Sequence, residues 1–254
     1  MLRFASLGSG SKGNATLIEC GKTRILVDCG FSVAETERRL HRLDCPPEGL
    51  DAILVTHEHG DHANGVGRLS RRHKIPVWLT VGTSHMMRDT KFFRQHYINV
   101  NKPFGIADLQ ITPYPVPHDA REPCQFIFSD GDLRLGLLTD SGSYTPHMLS
   151  LLQGLNGLLL ECNYDAQMLA VGPYPPKLKS RVGGKYGHMD NQHSADLLRS
   201  IDHSKLQHLV GMHLSEKNNA PHHAEQALSD GLGCEQHWVT LATQEQGFSW
   251  REVR

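Results

Sequence analysis

One seven-residue run constrains this chain more than any other: Thr56-His57-Glu58-His59-Gly60-Asp61-His62 follows directly on the apolar tetrapeptide Ala52-Ile53-Leu54-Val55. A short apolar run ahead of a glycine-containing turn reads as a buried strand. Such a strand fixes the direction in which the chain leaves it. Alternate side chains of the turn then converge, while a helix opening near His62 sends its own side chain the other way. His57 and His59 can face one cation, and Asp61 and His62 a second. Neutral imidazole is the commonest protein metal ligand. The same imidazoles and carboxylate packed together without a cation would be costly to desolvate. The run therefore calls for a buried strand-turn-helix junction and a metal centre at that junction.

The rest of the composition is permissive. With 254 residues, 39% hydrophobic and 21% charged, the chain can bury a large core, and neither a disordered nor a collagen-like class fits. Its 17 histidines equal the 8 Phe, 6 Tyr and 3 Trp together, which agrees with a metal site, although most of them read as surface residues. A formal net charge of -1 argues against a uniformly cationic nucleic-acid binder and leaves room for a local basic groove. The start, MLRFASLGSGSKGN, lacks a basic region followed by an apolar stretch, and no later run reaches about 18 apolar residues. The expectation is a cytoplasmic chain with no membrane partner. Cys20, Cys29, Cys45, Cys124, Cys162 and Cys234 contain no C-x-x-C pair, so reduced and mostly buried thiols are expected rather than disulfides or a zinc ribbon.

Along the chain, strands are expected at 2–7, 15–20, 23–29, 52–55, 77–80, 109–116, 124–129, 133–139, 155–161, 206–212 and 238–242, from apolar runs bounded by turn residues. Helices are expected at 32–43, 62–72, 84–94, 146–152, 191–201 and 221–232. The segment 172–187, GPYPPKLKSRVGGKYG, reads as the longest irregular stretch. No linker divides the chain. One domain over 1–254 is expected, with a two-sheet core covered by helices on both sides.

The run THEHGDH resembles the signature of the metallo-β-lactamase superfamily. The resemblance implies an α/β fold, an αββα sandwich of two mixed sheets flanked by helices, with a dinuclear site on one edge. An isolated His, an Asp and a final His then follow at later strand ends, and His118, Asp140 and His213 stand where that pattern requires them. By resemblance His57, His59 and His118 hold a first ion, Asp61, His62 and His213 a second, and Asp140 bridges them. Three protein ligands per ion is the open arrangement of a catalytic site. Imidazole-rich ligation favours two Zn2+, with Mn2+ or Fe2+ admitted by the carboxylates.

Three further segments resemble the YycJ-type branch, exonuclease-like hydrolases related to ribonuclease Z and the phosphonate-pathway phosphodiesterase. They are 7–14 (LGSGSKGN), 161–165 (ECNYD), and 187–191 (GHMDN) with 213–219 (HLSEKNN). Tyr164 stands where His is expected, and Asp190 where Ser is usual. The implied activity is metal-dependent cleavage of phosphodiesters by a metal-bridging hydroxide, in the manner of a 5′-to-3′ DNA exonuclease. The implied substrate is a nucleic acid or a small phosphodiester. Asp61 would orient the hydroxide, and His188 would protonate the leaving oxygen. Ser11, Asn14, Lys177, Lys179, Arg181, Lys185 and Asn191 are candidate substrate contacts, the basic ones through phosphate. The alternative is a small-molecule metallohydrolase acting on thioesters, lactones or cyclic diesters.

Overall fold

The computed structural model describes residues 1–254. Its strands are Leu2–Gly8 (β1), Ala15–Cys20 (β2), Thr23–Val27 (β3), Ala52–Leu54 (β4), Val77–Leu79 (β5), Gln95–Tyr97 (β6), Phe104–Ile106 (β7), Leu109–Pro115 (β8), Cys124–Ser129 (β9), Arg134–Leu138 (β10), Gly157–Glu161 (β11), His208–Met212 (β12), Thr240–Leu241 (β13) and Phe248–Val253 (β14). They form two seven-stranded sheets, ordered β14-β1-β2-β3-β4-β5-β6 and β13-β12-β11-β10-β9-β8-β7. Each sheet is antiparallel in one half and parallel in the other. In the first, pairing turns parallel from β3 to β6. In the second, it turns parallel from β10 to β13. The helices are Val33–Arg42 (α1), Gly60–Ala63 (α2), Val66–His73 (α3), Val81–Met86 (α4), Pro146–Leu151 (α5), Ala166–Val171 (α6), Pro176–Val182 (α7), Asn191–Arg199 (α8) and Pro221–Leu232 (α9).

The period-2 alternation of the strands sorts the apolar residues into three layers. Phe4, Ile25, Val27, Phe126, Leu137 and Leu159 meet between the sheets. Leu26 and Ile53 point the opposite way and pack on Leu40 of α1 and on Val66 and Leu69 of α3. On the far side, Leu158 and Leu160 pack under Met148 of α5, Leu197 and Leu198 of α8 and Leu228 of α9. Every residue of β11 is buried, as befits a parallel strand covered on both faces. The result is the expected αββα sandwich.

The departures from expectation are local. The helix read over 62–72 is two helices, because Gly65 presses its backbone against residues 29–31: its N–H donates to the Cys29 carbonyl at 2.7 Å, and a Cβ there would lie 2.2 Å from the Phe31 oxygen. The helix read over 84–94 is α4, which starts earlier because the Thr80 side chain accepts the Thr83 N–H. It stops at Met87, and beyond it the Arg71 guanidinium holds Asp89 at 2.9 and 3.0 Å in an extended segment that leads into the edge strand β6. The segment 172–187 contains α7, opened by Pro176 at its first turn and closed by Gly183. Strands β6, β7 and β14 were not expected. All six cysteines are free thiols, five of them buried.

Candidate metal centre

The strands β3, β4, β8, β10, β11 and β12 all run toward one edge of the sandwich, and the residues at their carboxyl ends meet there. Their neighbours in sequence fix their angles. Asp28 follows β3, Asp140 follows β10 and His213 follows β12, each with a left-handed backbone of φ 63°, 51° and 55°. Such conformations in non-glycine residues concentrate at functional sites, where the surrounding fold holds them. The turn after β4 is pinned by Gly30, at which a Cβ would lie 1.8 Å from the Asp61 carbonyl oxygen. Only a glycine lets these two segments touch.

One set of three imidazoles converges. His57, His59 and His118 bring one ring nitrogen each within 4.8 Å of the others. His118 donates through Nδ1 to the Gly187 carbonyl at 2.9 Å, which leaves Nε2 facing His59 Nδ1 at 3.2 Å. His57 Nδ1 lies 2.9 Å from the Thr56 hydroxyl, and its Nε2 is buried with no partner in the protein. Burial, together with the neighbouring imidazoles, holds His57 and His118 below the usual histidine pKa, so both are neutral near pH 7 and fit to ligate.

A second set lies beside it. Asp61, His62 and His213 also bring ligand atoms within 4.8 Å, with Asp61 Oδ2 at 3.5 Å from Nε2 of each histidine. Asp140 stands between the histidines, one oxygen 3.0 Å from His62 Nε2 and the other 2.9 Å from His213 Nδ1. Burial works against charge on these histidines, yet the Asp140 and Asp61 carboxylates outweigh it: His62 is raised well above the usual value and His213 to about 10. Burial likewise opposes ionisation of Asp140, and His213 and His62 nevertheless hold it well below the usual carboxylate range. This half of the site is a buried anionic pocket that demands positive charge, supplied by protons or by cations. Of the first set, His57 Nε2 is buried without a hydrogen-bond partner. The donor set and this orphaned atom fit a pair of divalent ions.

Several residues that sequence reasoning passed over orient the ligands. Asp28 accepts from the Thr56 N–H at 2.9 Å and hydroxyl at 2.8 Å and pairs with His62 Nδ1 at 2.8 Å, so one carboxylate sets His62 directly and His57 through Thr56. Its only sequence signal is its place one residue past β3. Glu161, fully buried, accepts the Ser141 N–H at 2.8 Å and lies 2.7 Å from His188 Nδ1. Asp119, by contrast, lines the cavity on the metal side of His118, 3.5 Å from its Nε2, and pairs with Arg181. Carboxylates behind metal-bound imidazoles fix tautomer and ring angle. We expect Asp28→Asn to weaken metal binding about 10- to 100-fold while the fold persists; metal titration of the chelated protein measures it, and unchanged affinity would reduce Asp28 to a turn residue.

The centre opens into a cavity of about 340 Å³ lined by Ser11, His59, Asp61, His188 and His213 among others. Of the proposed substrate contacts, Ser11 and Arg181 line it. In and around α7, Tyr174, Leu178, Arg181 and Val182 face the cavity at helical spacing. Lys177, Lys179 and Lys185 do not line it: the Lys179 ammonium donates to the Ala170 carbonyl, and Lys185 lies over the Tyr186 ring. Asn14 is buried, its amide bonded to the Gly10 carbonyl and 3.0 Å from His62 Nε2, the position of a brace inside the GSGSKGN loop. Asn191 is buried as well, bonded to Cys162 and Asn219. Tyr164 is buried, and Asp190 caps α8 by accepting the His193 N–H at 2.7 Å, as the more usual Ser would.

Two mixed sheets flanked by helices, with imidazoles and carboxylates gathered at their carboxyl edge, are the build of a metal-dependent hydrolase. The family model described as Beta-lactamase superfamily domain matches residues 23–214, and the chain belongs to that superfamily. It is 32% identical over 237 residues to "Exodeoxyribonuclease WalJ" of Streptococcus pneumoniae, covering 91% of this chain and 88% of that protein. To "Exodeoxyribonuclease YycJ" of Bacillus anthracis it is 31% identical over 235 residues, 91% and 89% of the two chains. Among solved structures, the metallo-β-lactamase fold protein YhfI from Bacillus subtilis superposes with a TM-score of 0.77 at 18% identity, covering 99% of this chain and 100% of that one.

Proposed function

We propose that residues 1–254 form one cytoplasmic catalytic unit that cleaves DNA stepwise from the 5′ end, with two zinc ions held by His57, His59 and His118, by Asp61, His62 and His213, and by Asp140 between them. No helix is long and apolar enough to cross a membrane. The predominance of imidazole favours zinc. Similarity to two exodeoxyribonucleases over some nine-tenths of each chain supports the substrate class.

The observation that carries the reading is the pair His188–Glu161. His188 Nδ1 lies 2.7 Å from Glu161 Oε1, and His188 lines the same cavity as Asp61 and His213. Burial works against the imidazolium, but the Glu161 carboxylate and then Asp140 hold its pKa above the usual value. A protonated imidazole in that place can hand its Nε2 proton to a departing sugar oxygen, which is too basic to leave as an alkoxide. A thiolate leaves without such help, so a thioesterase has no need of the pair. Divalent ions bound in the site supply Lewis acidity toward the phosphoryl oxygens and lower the pKa of water. Asp61, held below the usual carboxylate range by His62 and His213 against the effect of burial, stays ionised and accepts a hydrogen bond from the attacking water.

Digestion of end-labelled single- and double-stranded DNA and of RNA by zinc-reconstituted protein, with a small cyclic diester alongside, tests the proposal. Stepwise shortening of DNA from the 5′ end, stopped by chelator, is the expected outcome. Absence of metal-dependent cleavage of every diester overturns it, and turnover of acyl thioesters alone would assign the other chemistry.

A further inference from the structure

A second cavity, of about 430 Å³, opens on the other side of the turn that carries His59 and Gly60, and both residues line both cavities. Its volume lies in the range of about 300–1,000 Å³ typical of small-ligand clefts. Beyond that turn its walls come from the end of α2, Arg68 of α3, and the end of α4 with residues 87–89, and nothing in the chemistry described so far uses them. Arg68 and Arg88 line it, both are exposed, and neither guanidinium pairs with a carboxylate. Asp89 lines it too, with Arg71 bound to both of its oxygens. Two guanidiniums without an ion-pair contact therefore border a cavity that shares a wall with the metal centre. Glu58 keeps it from being a plain anion trap: one carboxylate oxygen accepts the Arg121 N–H at 2.8 Å, while the other is buried with no donor. Met86, 57% exposed, adds a soft apolar surface to the same wall.

Two cations and an apolar face together match one ligand class, a nucleotide within a chain: phosphate for the arginines and a base face for Met86. Because the cavity begins at His59, such a nucleotide would lie next to the bond being cut. We propose that this cavity holds the single-stranded nucleotide flanking the scissile phosphodiester, with Arg68 and Arg88 on its backbone phosphate. The inference rests on the nuclease reading above and adds the path of the strand beyond the reacting centre.

The test compares wild type with the Arg68→Ala/Arg88→Ala double variant, both loaded with zinc. One readout is fluorescence anisotropy with a labelled, hydrolysis-resistant phosphorothioate 20-mer across a range of salt. The other is turnover of single-stranded DNA and of bis(p-nitrophenyl) phosphate, which is too small to reach the second cavity. Since both arginines are exposed, the variant keeps its fold, and unchanged turnover of the small diester verifies that. We expect the Kd for the 20-mer to rise about 10-fold and the salt slope to shrink by about 0.7, the loss of one neutralised phosphate on a single strand. KM for DNA rises in parallel while kcat holds. Unchanged Kd and salt slope in a variant whose wild-type parent degrades DNA would overturn this inference and leave the nuclease reading standing. A wild-type enzyme that hydrolyses the small diester but neither binds nor cuts DNA would overturn both.

Discussion

Asp140→Asn is expected to leave the protein folded, with its metal content reduced below two ions per chain, and to cut turnover about 10²- to 10⁴-fold, the several kcal/mol that a bound cation contributes to a developing charge. Asp140 is 2% exposed and places one oxygen near His62 and the other near His213. No other carboxylate reaches both rings so closely; Asp61 is 3.5 Å from each. Asparagine keeps the shape and tolerates the left-handed backbone at this position, where alanine would add strain of its own. The change therefore removes charge and little else. Metal analysis, circular dichroism and diester turnover together read the result. Two retained ions with full activity would show that the bridging assignment is wrong, and a lost fold would show that Asp140 is chiefly structural.

How much of this was legible beforehand depends on where each residue lies relative to its strand. The run from His57 to His62 was plain because one short turn carries four donors in a pattern that few other structures need. His118, Asp140 and His213 could be placed only by resemblance, since a single His or Asp after an apolar run has no distinctive spacing. Asp28 and Glu161 escaped because they act across the sheets: Asp28 reaches Thr56 and His62 in the next strand's turn, and Glu161 reaches His188 from 27 residues away. Nothing in local sequence records such partners. The left-handed backbones at Asp28, Asp140 and His213 are likewise imposed by tertiary packing, against the preference of these residues. The basic stretch around α7 shows the opposite error. Counted as composition, Lys177, Lys179, Arg181 and Lys185 form one patch, but within α7 helical periodicity turns only Arg181 toward the cavity, and Lys185, beyond the helix, lies over the Tyr186 ring. The edge strand β6 was missed because it is three residues long, lies just past the helix read over 84–94 and is held by its pairing with β5.

His188→Ala should lower turnover of DNA about 10²- to 10⁴-fold, the usual contribution of a positioned general acid, while two ions per chain remain. Its Nδ1 belongs to Glu161, so its Nε2 is the atom left for the leaving oxygen. The loss should be far smaller with a p-nitrophenyl diester, whose nitrophenolate departs without a proton; an equal loss on both substrates would make His188 a positioning residue. The pH profile separates the roles further. A general acid works in its protonated form, and the pKa of His188 is raised, so activity is present below that pKa and falls as pH rises through it. Glu161→Gln removes the charge that does most to raise it. The alkaline limb of kcat should therefore move to lower pH, and the acid side of the profile should stay where it is. A limb that does not move in Glu161→Gln, together with metal lost from His188→Ala, would assign His188 to the ions: with Asp140, Glu161 and His213 it already presents ligand atoms within 4.8 Å of one another. Proton donor and ligand are thus exclusive readings of one ring, and metal content with the pH profile decides between them.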